Sequence, residues 1–225
     1  GAKTNLYDPG MLVPMVIRGQ GTGVRSQGSG VSKAGRVCDA MVCHADLAPT
    51  ILDFAGVVEK DAEPKNTACK AKGPKPPAVP KMHGKSFLPA LRDPNAKGYD
   101  EVYASHTFHE ITMYYPMKVV RTRTHKLIWN IAHPLPFPFA SDLWEASTWQ
   151  DVYQHGPNTT YGKRTVKAYI HRPQFELYDL TADPDEVNNL ATEPAQAKLL
   201  EELKGKLKAF QKRTSDPWVL KWDYE

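Results

Sequence analysis

The alternation of apolar and polar positions divides the chain into two textures. Residues 11–17 (Met11-Leu12-Val13-Pro14-Met15-Val16-Ile17) form a short apolar run that stops at Arg18-Gly19. Such a run, with its proline near the beginning, predicts a strand buried on both faces. A second strand is predicted over 36–43. Asp46 is placed to cap a following helix, with Pro49 in its first turn and Gly56 near its stop. On that helix Leu47, Ile51, Leu52 and Phe54-Ala55 make up the expected buried side. This β-loop-β-α pattern reads as the edge of a larger sheet. Between the two strands, Gly19, Gly21 and Gly23 sit in a Gly/Ser/Gln-rich loop. Val24 stands where a dinucleotide fingerprint needs its third glycine, so a phosphate cradle is not expected.

After a Pro/Lys-rich stretch at 57–83 and a short helix at 86–92, the texture changes. Residues 101–115 and 117–132 are rich in β-branched and aromatic side chains and predict antiparallel strands, the second stretch turning near 123–126. A helix is expected at 142–154 and a strand at 175–180. The last helix should run from a Thr192 cap to Lys212, with Leu199, Leu200, Leu203, Leu207 and Phe210 along one face. The boundary between two units then falls near residue 95: residues 1–95 close a large α/β domain and residues 96–225 form a smaller α+β unit.

Composition adds little to this picture. Of the 225 residues 41% are hydrophobic, enough for a core, and no apolar run reaches the length of a membrane span. The net charge of +4 gathers around Lys65, Lys70, Lys72, Lys75 and Lys81, between prolines. That pattern suits a solvated loop, although a basic excess also attracts anionic polymers. Cys38, Cys43 and Cys69 match no zinc spacing and cannot all pair within the chain. Asn158-Thr159-Thr160 is a glycosylation sequon if the protein is secreted in a eukaryote. The start at Gly1-Ala2-Lys3, without methionine or signal peptide, reads as a fragment.

Three motifs carry a resemblance. Lys3-Thr4-Asn5-Leu6-Tyr7-Asp8-Pro9-Gly10, followed by Val13-Pro14, is similar to the segment that follows the last metal ligands of type I sulfatases. His44-Ala45-Asp46-Leu47-Ala48-Pro49-Thr50-Ile51-Leu52 resembles the D-[IL]-x-P-T-[IL]-L signature of that family, and Gly84 to Leu91 its G-x-S-[FL]-L-P-x-L segment. His109-Glu110-Ile111-Thr112-Met113-Tyr114-Tyr115-Pro116-Met117 resembles the H-E-V-T-M-x-Y-P-M stretch of the heparan N-sulfatase (sulfamidase) branch. Glu176-Leu177-Tyr178-Asp179, Asp183-Pro184, Asn189-Leu190-Ala191 and Asp216-Pro217-Trp218 continue in family order. The insertion at 57–83 departs from the pattern.

The resemblance implies the C-terminal part of an alkaline-phosphatase-like α/β sulfatase fold, ending in a small antiparallel sheet and a C-terminal helix. The expected reaction is hydrolysis of an N-sulfate or O-sulfate on a glycosaminoglycan-type sugar, with a heparan-type oligosaccharide as partner. Another hydrolase of the same superfamily (an O-sulfatase or phosphodiesterase) and a non-catalytic sugar-binding module are the alternatives. Lys3 takes the family's sulfate-contacting role, for which a compact ammonium suits a sulfonate oxygen gaining charge. The family's calcium and its formylglycine, made from a Cys or Ser in C/S-x-P-x-R, would both come from upstream, since no such motif occurs here. The chain alone is therefore expected to be inactive. The resemblance further implies a missing N-terminal part, a homodimer, no nucleic-acid or membrane partner, and a secreted, periplasmic or lysosomal setting.

His109 and Glu110 are the candidate substrate-binding residues, on a hairpin reaching the cleft. As strand neighbours they would face opposite ways, so only one could face a given pocket. A structural hydrogen-bonding role is equally open. A metal site from His106-x-x-His109-Glu110 would need helical spacing, whereas the flanks are strand-like. Arg121 and Arg123 should share a strand face, either meeting anionic sugar or standing in solvent.

Overall fold

The computed structural model describes residues 4–17, 37–57, 82–93, 95–110 and 113–224. They fall into two compact units, one containing residues 1–19 with 101–225 and the other residues 20–100. The segment at the start of the chain thus belongs with the antiparallel sheet.

In the smaller unit a turn of 3-10 helix at His44–Asp46 leads into α2 (Leu47–Phe54), and α3 follows at Leu88–Arg92. Asp46 is buried but does not cap α2. Its carboxylate accepts from the Cys43 N–H at 2.9 Å and the Lys85 N–H at 2.8 Å, tying two distant strands of backbone together. Thr50 is the next link: its hydroxyl donates to the Asp46 carbonyl (2.6 Å) and accepts from the Phe87 N–H (3.0 Å). The buried face of α2 is accordingly Pro49 and Thr50, while Ile51 and Phe54, expected inside, are exposed. Phe87, Ala90 and Tyr99 make a small core. Cys38 and Cys43 are free thiols, and Cys69 lies outside the described residues.

Neither early strand forms. In the sheet unit α1 (Asp8–Met11) occupies the start of the expected strand, and residues 12–17 form no strand, Val16 being 94% exposed. Residues 37–43 likewise join no strand. Strand composition alone cannot hold a strand: each needs a neighbour to take up its N–H and C=O groups in a ladder. The Met41 N–H does bond the Tyr99 carbonyl at 2.8 Å, but no ladder forms there among the described residues.

The later pattern fares better. β1 (Glu101–His109), β2 (Met113–Thr122), β3 (His125–Asn130) and β6 (Phe175–Asp179) form one antiparallel sheet in the order β1-β2-β3-β6. The expected helix at 142–154 breaks into α4 (Ser141–Trp144) and α5 (Ser147–Gln154). A two-residue ladder, β4 (Thr160–Tyr161) with β5 (Arg164–Thr165), precedes α6 (Val166–Ile170), which Thr165 caps. α7 (Ala197–Arg213) is the expected last helix, followed by a 3-10 segment at Pro217–Asp223.

The two faces of the sheet hold different cores. Val120, Leu127, Trp129 and Leu177 pack under Leu203 and Leu207 of α7, as the leucine stripe predicts. On the other face Met113, Tyr115, Met117, Ile128 and Tyr178 pack with Leu6, Tyr7, Phe137, Trp149 and Tyr169. Phe137 and Ala140 are therefore interior, and the proline-rich loop that bears them is part of the core. No helix among the described residues is long and apolar enough to cross a membrane.

Candidate functional site

The hairpin joining β1 to β2 carries the candidate residues. Its register slips between His106 and Phe108: His106 pairs with Met117, but Phe108 pairs with Tyr114 and His109 with Met113. The bulge adds one residue to β2, where Tyr115 and Pro116 stand against Thr107 alone, and it re-aims the side chains beyond it. His106 thus lies opposite Met117 and His109 opposite Met113, two methionines of one buried cluster. Strand geometry then ends. Glu110 adopts a left-handed backbone with φ 59°, so His109 and Glu110 do not point apart as expected from their sequence. They meet, with His109 Nε2 3.6 Å from Glu110 Oε1.

Glu110 is held from its other oxygen. Oε2 accepts from the backbone N–H and the hydroxyl of Ser141, both at 3.1 Å, at the first residue of α4. His109 and Glu110 remain about one-third exposed, which leaves them accessible to a ligand. His106 is more enclosed: burial holds its pKa below the usual imidazole value, and proximity to His109 adds to this. Its Nδ1 lies 3.1 Å from the Tyr115 carbonyl. Its Nε2 has no hydrogen-bond partner among the described residues.

Lys3, Ile111 and Thr112 lie outside the described residues. The anchor of the chain just after Lys3 is nonetheless clear, and sequence reasoning missed it. Tyr7 donates to Glu176 Oε2 at 2.7 Å, Tyr178 donates to the same oxygen at 2.5 Å, and Asn130 donates to Oε1 at 2.6 Å. Arg172 donates to Asn5 at 2.6 Å and lies 3.5 Å over the Phe137 ring. Asn5 in turn donates to the Tyr169 hydroxyl at 2.9 Å. Lys126, wholly buried, joins Asp8 and Glu186, the latter at 2.6 Å. Burial alone would lift the Asp8 carboxyl, but hydrogen bonds from Arg121 and Lys126 bring it below its ordinary value. Burial lifts that of Glu186 despite Lys126. The signal was present in the Glu176-Leu177-Tyr178 alternation, which puts Glu176 and Tyr178 on one face.

Arg121 is not available to an anion in this arrangement. It grips Asp8 through Nε at 3.0 Å and Nη2 at 2.9 Å, and Arg123 lies in the turn beyond β2 rather than on its face. Among the described residues no group of three or more His, Cys, Asp or Glu side chains could hold a metal ion, so the residues in hand do not fit a calcium site.

The tyrosines give a pH signature. Burial and the neighbouring Glu176 raise the Tyr7 and Tyr178 hydroxyls far above 10, and burial pushes Tyr115 up to about 12. A raised tyrosine pKa contributes stability fully below the unfolded value near 10, and loses it as pH climbs toward the folded value. In a titration followed at the tyrosinate absorbance, these three should ionise only together with loss of the fold. A gradual titration near pH 10 with the fold intact would contradict this burial.

No family model matches the chain. Against individual proteins it is 35% identical to human N-sulphoglucosamine sulphohydrolase over 222 residues, covering 96% of this chain and 40% of that protein. It is 27% identical over 220 residues to an ulvan-active sulfatase of Formosa agariphila, covering 95% and 36%. The chain thus spans well under half the length of both. A solved sulfatase structure from Bacteroides thetaiotaomicron is 22% identical, with 77% of this chain and 25% of that one covered and a TM-score of 0.44. A solved protein in complex with its substrate D-glucosamine-2-N,6-O-disulfate is 23% identical, with 76% of this chain and 24% of that one covered and the same score. With sulfatase relatives aligned along nearly its whole length, the chain belongs to the sulfatase family, as a C-terminal part.

Proposed function

We propose that the protein containing this chain hydrolyses the N-sulfate of a glucosamine-type sugar, and that the chain supplies part of the substrate cleft. The observation that carries this reading is the 35% identity to N-sulphoglucosamine sulphohydrolase over 222 residues. In this reading the family's formylglycine and calcium are held by residues outside this chain, and Lys3 contacts the sulfate. His109 and Glu110 hold the amino sugar at the hairpin end. Their support is chemical: an imidazole beside a carboxylate offers a donor and an acceptor within one sugar's reach, and Ser141 fixes the carboxylate's orientation.

The direct test is sulfate release by the full-length protein, with calcium present, from N-sulfoglucosamine and separately from 6-O-sulfated glucosamine. Release from the N-sulfated sugar at the higher kcat/KM is expected. Preference for the O-sulfated sugar would instead support an O-sulfatase.

Glu110→Ala and His109→Ala should each lower kcat/KM by roughly 10- to 100-fold, the worth of a charge-assisted hydrogen bond of about 1.5–3 kcal/mol. Ser141→Ala serves as the control for an effect of the loop alone. If it matches Glu110→Ala, the carboxylate only braces α4 and does not touch substrate.

A further inference from the structure

Beside α7 the sheet unit carries a groove of about 460 Å³ that the hairpin site does not use. Aromatic rings form one wall. Trp222 lies 4.0 Å from Trp129 at a tilt of 32°, and Phe175 lies nearly parallel to both, at 17° and 19°. Lysines form the other: Lys204, Lys208 and Lys221 line the groove against a single carboxylate, Glu201. Lys204 sits 4.3 Å over the Phe175 ring and 2.8 Å from Glu201, and Lys208 reaches Asp223 at 3.2 Å. Both contacts involve partners 66–70% exposed, so an incoming anion can replace them at little cost.

Two features suggest that the groove is kept open for a ligand. Gly205 lines it from the middle of α7, where glycine is less favourable than alanine. A methyl group there would meet nothing within 4 Å, so packing within the chain does not require glycine. In addition, Trp129 lines the groove and is 1% exposed, yet its indole N–H has no acceptor among the described residues. A buried donor left unmet is uncommon and calls for a partner.

From this arrangement we propose that the groove binds a sulfated pyranose unit of an anionic polysaccharide. The ring's C–H face lies on the aromatic wall and its sulfates meet the lysines. Aromatic rings supply flat apolar area that suits such a face, and lysine ammoniums match sulfate charge without demanding fixed geometry. None of these residues belongs to the hairpin end. The choice of a sulfated sugar rests on the proposed sulfatase function.

The test uses the full-length protein and a heparin tetrasaccharide, with binding measured by calorimetry and Trp fluorescence. Gly205→Leu fills the groove, Lys204→Gln/Lys221→Gln removes its charge, and Gly205→Ala reports on α7 itself. Both groove variants should weaken binding tenfold or more while melting at the wild-type temperature or above, and Gly205→Ala should bind more nearly like wild type. Turnover of the N-sulfoglucosamine monosaccharide should not change. Equal tetrasaccharide affinity in wild type and Gly205→Leu would overturn the proposal. So would equally tight binding of inorganic polyphosphate, which would reduce the groove to bulk charge, or a self-associating protein whose dimer dissociates in Gly205→Leu. Should the monosaccharide not be cleaved at all while groove-dependent binding persists, the N-sulfatase reading falls and the groove remains.

Discussion

Replacing Lys126 with methionine is expected to cost the sheet unit about 3–5 kcal/mol, the range for breaking a buried ion pair from one side. The ammonium is wholly buried, joins Asp8, and lies 2.6 Å from Glu186, whose side chain is also fully enclosed. Its Nζ also donates to the Leu6 carbonyl at 3.2 Å. Methionine fills the volume but leaves Glu186 facing Asp8 with the cation gone. Arg121 still holds Asp8, so Glu186 bears most of the penalty. Urea unfolding followed by Trp fluorescence measures the loss. Protonating Glu186 relieves the defect, so the variant should recover part of its deficit as pH falls toward 5. A Lys126→Met protein within about 1 kcal/mol of wild type at pH 7 would show that the triad carries no such burden. The triad with the Glu176 network fixes residues 5–8, shortly after Lys3, the lysine proposed to contact the sulfate.

The second large effect is expected at Gly84. A Cβ there would lie 2.0 Å from the Ala45 carbonyl oxygen and 2.9 Å from the Asp46 nitrogen, both backbone atoms with no rotamer to escape through. Gly84→Ala must therefore push residues 84–85 away from residues 45–46, which stretches the 2.8 Å bond from the Lys85 N–H to Asp46. Overpacking of this kind costs about 3 kcal/mol. The readout is hydrogen exchange at the Lys85 and Cys43 amides, both donated to Asp46. Protection should fall at both, while amides of β2 and β3 stay as they were. Unchanged protection at Lys85 would mean that the approach of the two segments is looser than these distances state.

The sequence by itself determined the local elements whose partners are close in the chain. β1, β2 and β3 succeed one another through short turns, so β-branched and aromatic residues sufficed to predict antiparallel strands there, although the stretch expected over 101–115 ends at His109 and β2 starts at Met113 with Pro116 inside it. α7 was legible because five apolar residues recur along one helical face, whatever lies opposite. The family, too, was readable in linear motifs, and a relative 35% identical over 222 residues agrees with them.

The tertiary structure alone decided what depends on distant partners. Residues 11–17 and 37–43 have strand composition, yet hydrogen bonding from a neighbouring strand is what makes a strand, and no periodicity encodes that neighbour. Asp46 was read as a helix cap because aspartate caps locally, but it binds Lys85, thirty-nine positions on. At the hairpin, one extra β2 residue between Tyr114 and Met117 shifts the register, and a left-handed Glu110 turned a pair expected to point apart into neighbours 3.6 Å from each other. A bulge is set by the register of two strands together, and neither strand's sequence contains it alone.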